Sequence, residues 1–247
     1  MFRSLVFVAA ALLIALGAIH PMHRLYGEDG NNDRRGNDDH NDRRGDSVSA
    51  NARRKVKLGQ QTFRSDAFGD EAFWGDTLKL HQAIEGSHLG GVGDDIGPAA
   101  ALGLGLNVDV DALPGSIRYG LKAGTINLHD PATTLSLLQL NAVVGVTGIF
   151  KGGELTSFGI QCALCHSTVD NSFAPGIGHR LDGWANRDLN VGAIIAAAPD
   201  LSAVEKVLNA DESTVRNVLT HWGPGKFDAE LFLDGQGFRQ TVKLPPL

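Results

Sequence analysis

Residues 159–169 read GIQCALCHSTV and hold both cysteines of the chain, Cys162 and Cys165, with His166 directly after the second. Three chemistries use such a trio. A thiol–disulfide pair takes the same Cys-x-x-Cys spacing but belongs at a helix N-terminus inside a strand–helix–strand unit, and no such strand pattern surrounds these residues. A structural zinc site needs four ligands, and no second cysteine pair supplies them, which leaves only a Cys2His2 variant built with distant histidines. The third chemistry is covalent attachment of haem c. On one helical turn, positions i and i+3 face the same side. Two sulfurs placed there can meet two vinyl groups of one porphyrin, while the next residue projects towards the iron. Of the three, haem attachment makes the most of His166.

The elements that must position this trio follow from the surrounding pattern. The chain has 247 residues with 43% hydrophobic side chains, enough for one sizeable core. Its 28 acidic and 22 basic residues give a net charge of −6, so no basic surface for nucleic acid is expected. Residues 1–19 carry Arg3 and then an apolar run from Leu5 to Ile19. That run is short for a bilayer span and suits a secretory signal, or alternatively an uncleaved signal anchor. Export places the chain in an oxidising compartment.

Residues 20–57 read as a disordered, charged linker. The sequence Asn-Asp-Arg-Arg-Gly occurs at 32–36 and again at 41–45, almost without apolar residues, and His40 there is discounted as a ligand. Folded structure is expected over 58–247. Residues 70–85 read as one amphipathic helix with Trp74, Leu78 and His81 on its inner face. Residues 86–125 read as mostly glycine-rich loop with short helical turns, and GGVGDDIG at 90–97 lacks the spacing of a dinucleotide fingerprint. Asp130-Pro131 caps a buried helix running through ATTLSLLQLNAVVGV. Ser202 to Glu205 form a capping box, and Asp211 caps a helix with Val215, Val218, Leu219 and Trp222 on one face. With no run of alternating strands, the expected fold is mainly α.

The stretch CALCHSTVDNSFAPGIGHRLDG resembles the haem-binding segment of the c-type cytochromes, strongly over about 160–187 and weakly elsewhere. The resemblance implies a cytochrome c-like haem domain with long Gly-rich loops. It implies thioether bonds from Cys162 and Cys165, proximal iron ligation by His166, and a Pro175 carbonyl accepting the imidazole hydrogen. Packing of Ile177 and Leu181 on the porphyrin follows from the same source, as does a propionate contact from Arg180, Trp184 or Arg187. A plain turn role for Pro175 stays open beside this.

The opposite side of the iron is the open question. The methionines are Met1 and Met22, so methionine ligation is not expected, and either a second histidine or an open position follows. His81 is the favoured histidine, with His88, His129, His179 and His221 behind it. Two axial ligands make a single-electron carrier, while an open position admits peroxide. The sequence therefore leads to an exported, periplasmic electron-transfer protein with one covalent haem c, exchanging electrons with redox protein partners and meeting membrane only through an uncleaved anchor. The alternatives are a peroxidase-like oxidoreductase resembling the bacterial di-haem peroxidases, which carry two attachment motifs where this chain has one, or a part of a larger di-haem protein.

Overall fold

The computed structural model describes residues 44–226. The signal or anchor segment, most of the linker including His40, both methionines and the last residues of the chain lie outside them.

The described residues are about 49% helical and 14% strand, a mixed α/β arrangement with three two-stranded sheets. This corrects the expectation of a mainly α, cytochrome c-like fold with long Gly-rich loops. Helix α1 (Arg44–Ser65) runs through residues assigned by composition to the linker, and from Ser47 as far as Gln61 its side chains stay largely in solvent. After it the chain does not form the single helix expected over 70–85. A π-helical turn (Ala72–Thr77) ends at Leu78, Lys79 adopts a left-handed φ of 54°, and α2 (Leu80–Glu85) starts afresh. Within the π-helical turn, Gly75 packs so tightly that a Cβ there would collide with the Ser157 side chain. Trp74 and Leu78 are buried as the pattern requires, whereas His81 is only half-buried.

Residues 86–125 hold more structure than expected: α3 (Pro98–Gly103), β1 (Val108–Asp109) and α4 (Gly115–Ala123). Asp130 does cap α5 (Pro131–Gln139), its carboxylate accepting from Ala132 N, with Pro131 in the first turn. The helix stops at Gln139, and the apolar residues beyond it lead into a hairpin of β2 (Val146–Lys151) and β3 (Glu154–Ile160). Gly152 and Gly153, with φ of 62° and 95°, turn one strand onto the other. Then come α6 (Ala163–His166), β4 (Ser167–Val169), β5 (Ile177–Gly178) and β6 (Arg180–Asp182). β4 pairs antiparallel with β6, and β1 pairs parallel with β5.

The chain closes on α7 (Val191–Ala196), α8 (Ser202–Leu208) and α9 (Glu212–Thr220). Asp211 caps α9 through Thr214 N at 3.0 Å, as its position implies. The capping box over 202–205 is not formed. Asp200 takes that part instead, accepting from Ser202 N and Oγ. From this closing segment Ile195, Leu201, Val204, Val215 and Leu219 join Leu78, Leu138, Phe158 and Leu164 in the main core. A second cluster gathers Val108, Val110, Leu113, Leu137, Ala142 and Ile177.

Two stability outcomes follow. Leu219 is fully buried, so Leu219→Ala should lower the unfolding free energy by about 2–5 kcal/mol, read from urea denaturation. The Asp211 carboxyl is held down at about 2, against an ordinary 3.8, by hydrogen bonds from the Ser213 hydroxyl and Thr214. A depressed folded pKa means that its contribution is complete above about pH 3.8 and is lost as the pH falls towards 2. Asp211→Asn should flatten the pH dependence of unfolding in that window.

Candidate functional site

The motif occupies one short helical turn. Cys162 has helical φ and ψ of −49° and −32° and leads into α6, and His166 N donates to Cys162 O at 3.2 Å. Both thiols are free, Cys162 exposed and Cys165 half-buried, and the His166 side chain is exposed. Between the cysteines, Ala163 and Leu164 are 0% and 5% exposed. The turn is therefore two-sided, with Ala-Leu driven into the core while the outer side carries Cys162 and His166.

A four-residue helix cannot hold itself, and its neighbours do so from both ends. Gln161 N donates to Gly145 O at 2.9 Å. The last carbonyls of the turn, at Cys165 and His166, accept from Asn186 N at 3.0 Å and Gly183 N at 2.8 Å. Asn186 is itself fixed, donating from Nδ2 to Gly105 O at 2.8 Å. Upstream, Asp70 accepts from Ile160 N and from Trp74 Nε1, each at 3.0 Å, and burial pushes its carboxyl up. Downstream, the fully buried Ser167 donates to Asp182 at 2.9 Å, and Asp182 also meets Arg64 of α1 at 2.6 Å. These partners, with Gly145, were not singled out in the sequence. Gly-Trp-Ala-Asn after a short strand was the one signal that could have found Gly183 and Asn186.

The thiol environment bears on the competing chemistries. Burial, with a smaller contribution from Cys162, pushes the Cys165 thiol up. That is the reverse of an activated thiolate pair. The motif does follow a strand, yet β3 and β4 belong to different sheets, each with an antiparallel partner, so no strand–helix–strand redox unit is formed. Among the described residues, no three His, Cys, Asp or Glu side chains converge as a metal-holding group, which leaves the distant-histidine zinc site without support.

The other predicted residues divide. Pro175 sits in a tight turn closed by the Ala174–Ile177 bridge and by Gly176 N donating to Asn171 Oδ1 at 2.7 Å, and the structure records no hydrogen bond from the His166 imidazole to its carbonyl. Ile177 is 4% exposed and belongs to the second cluster, where it lines an apolar cavity of about 260 Å³. Leu181 is half-buried on β6 opposite Thr168. Leu80 and Ile84, one helical turn apart on α2, line with Leu164 an apolar cavity of about 80 Å³ on the core side of the motif. His81 lies outside that lining, half-buried, with its Nδ1 shielded from solvent. Burial lowers the His81 pKa, outweighing a backbone hydrogen bond at Gly75. His88 pairs with Asp95, His179 with Asp111 at 3.0 Å, and His221 Nδ1 with Asn217 O at 2.6 Å.

The donor set of the turn is the one covalent haem attachment would use, with Cys162 and His166 exposed and Cys165 half-buried. Two free thiols and an imidazole without a recorded hydrogen bond lie on one turn held rigidly from behind. The apolar cavities lined by Leu164 and by Ile177 hold about 80 and 260 Å³. No protein-family model matches the chain, and no curated protein or solved structure matches it either. Nothing in those comparisons supports a cytochrome c-like fold.

Gly145 is the tightest support of the turn. With φ of 80°, a Cβ there would lie 2.2 Å from Leu164 Cα. Gly145→Ala should cost about 1–3 kcal/mol in backbone strain alone and push α6 outward. Urea denaturation should show the loss, and a thiol reagent should react faster with Cys165.

Proposed function

We propose that Cys162, Cys165 and His166 attach one haem c covalently, and that the protein is exported to the periplasm, where it passes single electrons between redox protein partners. The observation that carries the reading is the turn itself: two free thiols and an exposed imidazole on one helical turn, anchored from behind by Leu164. Each thiol gives its sulfur to one vinyl carbon and its hydrogen to the neighbouring carbon, an addition with no net oxidation. The group when bound supplies one-electron iron chemistry. The chain's own part is to hold the two sulfurs in place, to offer His166 as proximal ligand, and to keep the segment from moving through the bonds to Gly145, Gly183 and Asn186.

A second reading, a peroxidase-like oxidoreductase with an open iron position, is favoured by one observation. The methionines of the chain are Met1 and Met22, beside the signal segment and the charged linker.

Expression of the full chain with haem c maturation machinery tests both. A Soret band that survives denaturing electrophoresis is expected for the wild type, with a clear loss of retained haem in Cys162→Ser. Absence of covalent haem in the wild type would sink the attachment reading. A low-spin ferric spectrum supports the electron carrier, while a high-spin spectrum with ready cyanide binding supports the open position.

A further inference from the structure

Trp184 stands apart from the other two tryptophans. Trp74 is 7% exposed and Trp222 is half-buried, whereas Trp184 is 65% exposed. A tryptophan carries a large apolar surface and is strongly buried on average, and this exposed one is set apart by its place beside the motif. Flexibility does not account for the exposure. Its neighbour Gly183 donates to His166 O, and Asn186, two residues on, donates to Cys165 O while its side chain reaches Gly105 O. Trp184 thus sits on a short turn whose backbone is bonded on both sides of it to the last two residues of the motif.

The geometry constrains what can cover that ring. Gly183 has a φ of 82°, a conformation that makes the chain bend sharply just before Trp184. Strand β6 directly precedes the bend. Its inner residues Arg180 and Asp182 pair with Val169 and Ser167, both buried, and Leu181 pairs with Thr168 on the other face. That other face is half-buried and its leucine joins neither apolar cluster. Leu181 and Trp184 therefore offer apolar surface beside the same turn that exposes Cys162 and His166. Cys162 and His166 are exposed, so a ring tied to the motif lies on this outer surface.

We infer that the Trp184 indole packs against the porphyrin attached at Cys162 and Cys165, forming one wall of its site. The inference rests on the haem-attachment reading and adds a binding residue to it. Trp184 is a covering residue and takes no part in iron ligation. Its apolar ring excludes water from one side of the group, and the two backbone bonds that flank it make that wall stiff.

Oxidative footprinting tests this on the full chain made with and without haem c maturation, each at the same concentration, with N-bromosuccinimide as reagent and peptide mass spectrometry as readout. Trp184 should react readily in the haem-free protein. In the haem-loaded protein its oxidation should be largely lost, because the porphyrin covers the indole face. Trp74 should stay unreactive in both forms. Equal reactivity of Trp184 in the two forms overturns the inference and leaves covalent attachment intact. Protection already present without haem also overturns it, since a second copy of the chain or a local fold would then be the cover. A wild-type protein that retains no covalent haem overturns the attachment reading and this inference together.

Discussion

The backbone bonds around α6 are the constraint on which the rest depends. Four helical residues gain too few internal hydrogen bonds to offset the ordering of their backbone, so the turn exists because other segments complete it. Gly145 O takes the N–H of Gln161 in front, and Gly183 and Asn186 satisfy the carbonyls behind. These partners lie well before and well after the motif in the chain, in loops joined to the hairpin and to β6. The fold around them is organised as a clamp. Asp70 holds the end of β3 at Ile160, and the β4–β6 pair brings Asp182 and Gly183 alongside Ser167 and His166.

Asp182 extends the clamp by charge. It accepts from Ser167 and Arg64 and lies 2.9 Å from Arg180 Nε. Burial tends to raise its pKa, but the Arg64 and Ser167 hydrogen bonds and the two guanidinium charges outweigh this and hold it low. Arg180 is the costly member, with a side chain 8% exposed and Nη2 buried without a hydrogen-bond partner. Removing Asp182 would leave that cation uncompensated, which makes the pair a strong determinant of how β6 lies on β4. Arg64 carries the same charge network to the end of the long, solvated helix α1, and gives that helix its anchor on the folded body.

What was legible in the sequence was local. Asp130 and Asp211 are recognisable as caps because an N-cap acts on backbone N–H groups two or three residues away. The helical turn of the motif follows from spacing in the same way. The hairpin before it was missed because Gly148 and Gly159 interrupt the alternation that marks a strand, and the Gly152-Gly153 turn was the signal that remained. The left-handed residue at Lys79 is neither glycine nor asparagine, so nothing local marks the break. The close approach of Gly75 to Ser157 joins two residues far apart in the chain and is equally invisible there. His81 falls on the second of the two helical pieces, half-buried with its Nδ1 shielded from solvent.

The identity of the two residues between the cysteines explains why the site faces outward. Ala163 is small and fully buried against its surroundings, while Leu164 reaches the main core and shares a cavity wall with Leu80, Ile84 and Phe158. Burying Leu164 is worth on the order of 2 kcal/mol, and on a helix that short no other side chain supplies a comparable anchor. With positions 163 and 164 pulled inward, the helical repeat sets Cys162 and His166 on the opposite, exposed side and leaves Cys165 between. The exposed Cys162 and His166 and the anchoring pair thus occupy different sides of one turn. A polar residue in place of Leu164 would loosen the turn without touching either sulfur or the imidazole, so the placement of Cys162, Cys165 and His166 rests on an apolar residue between them.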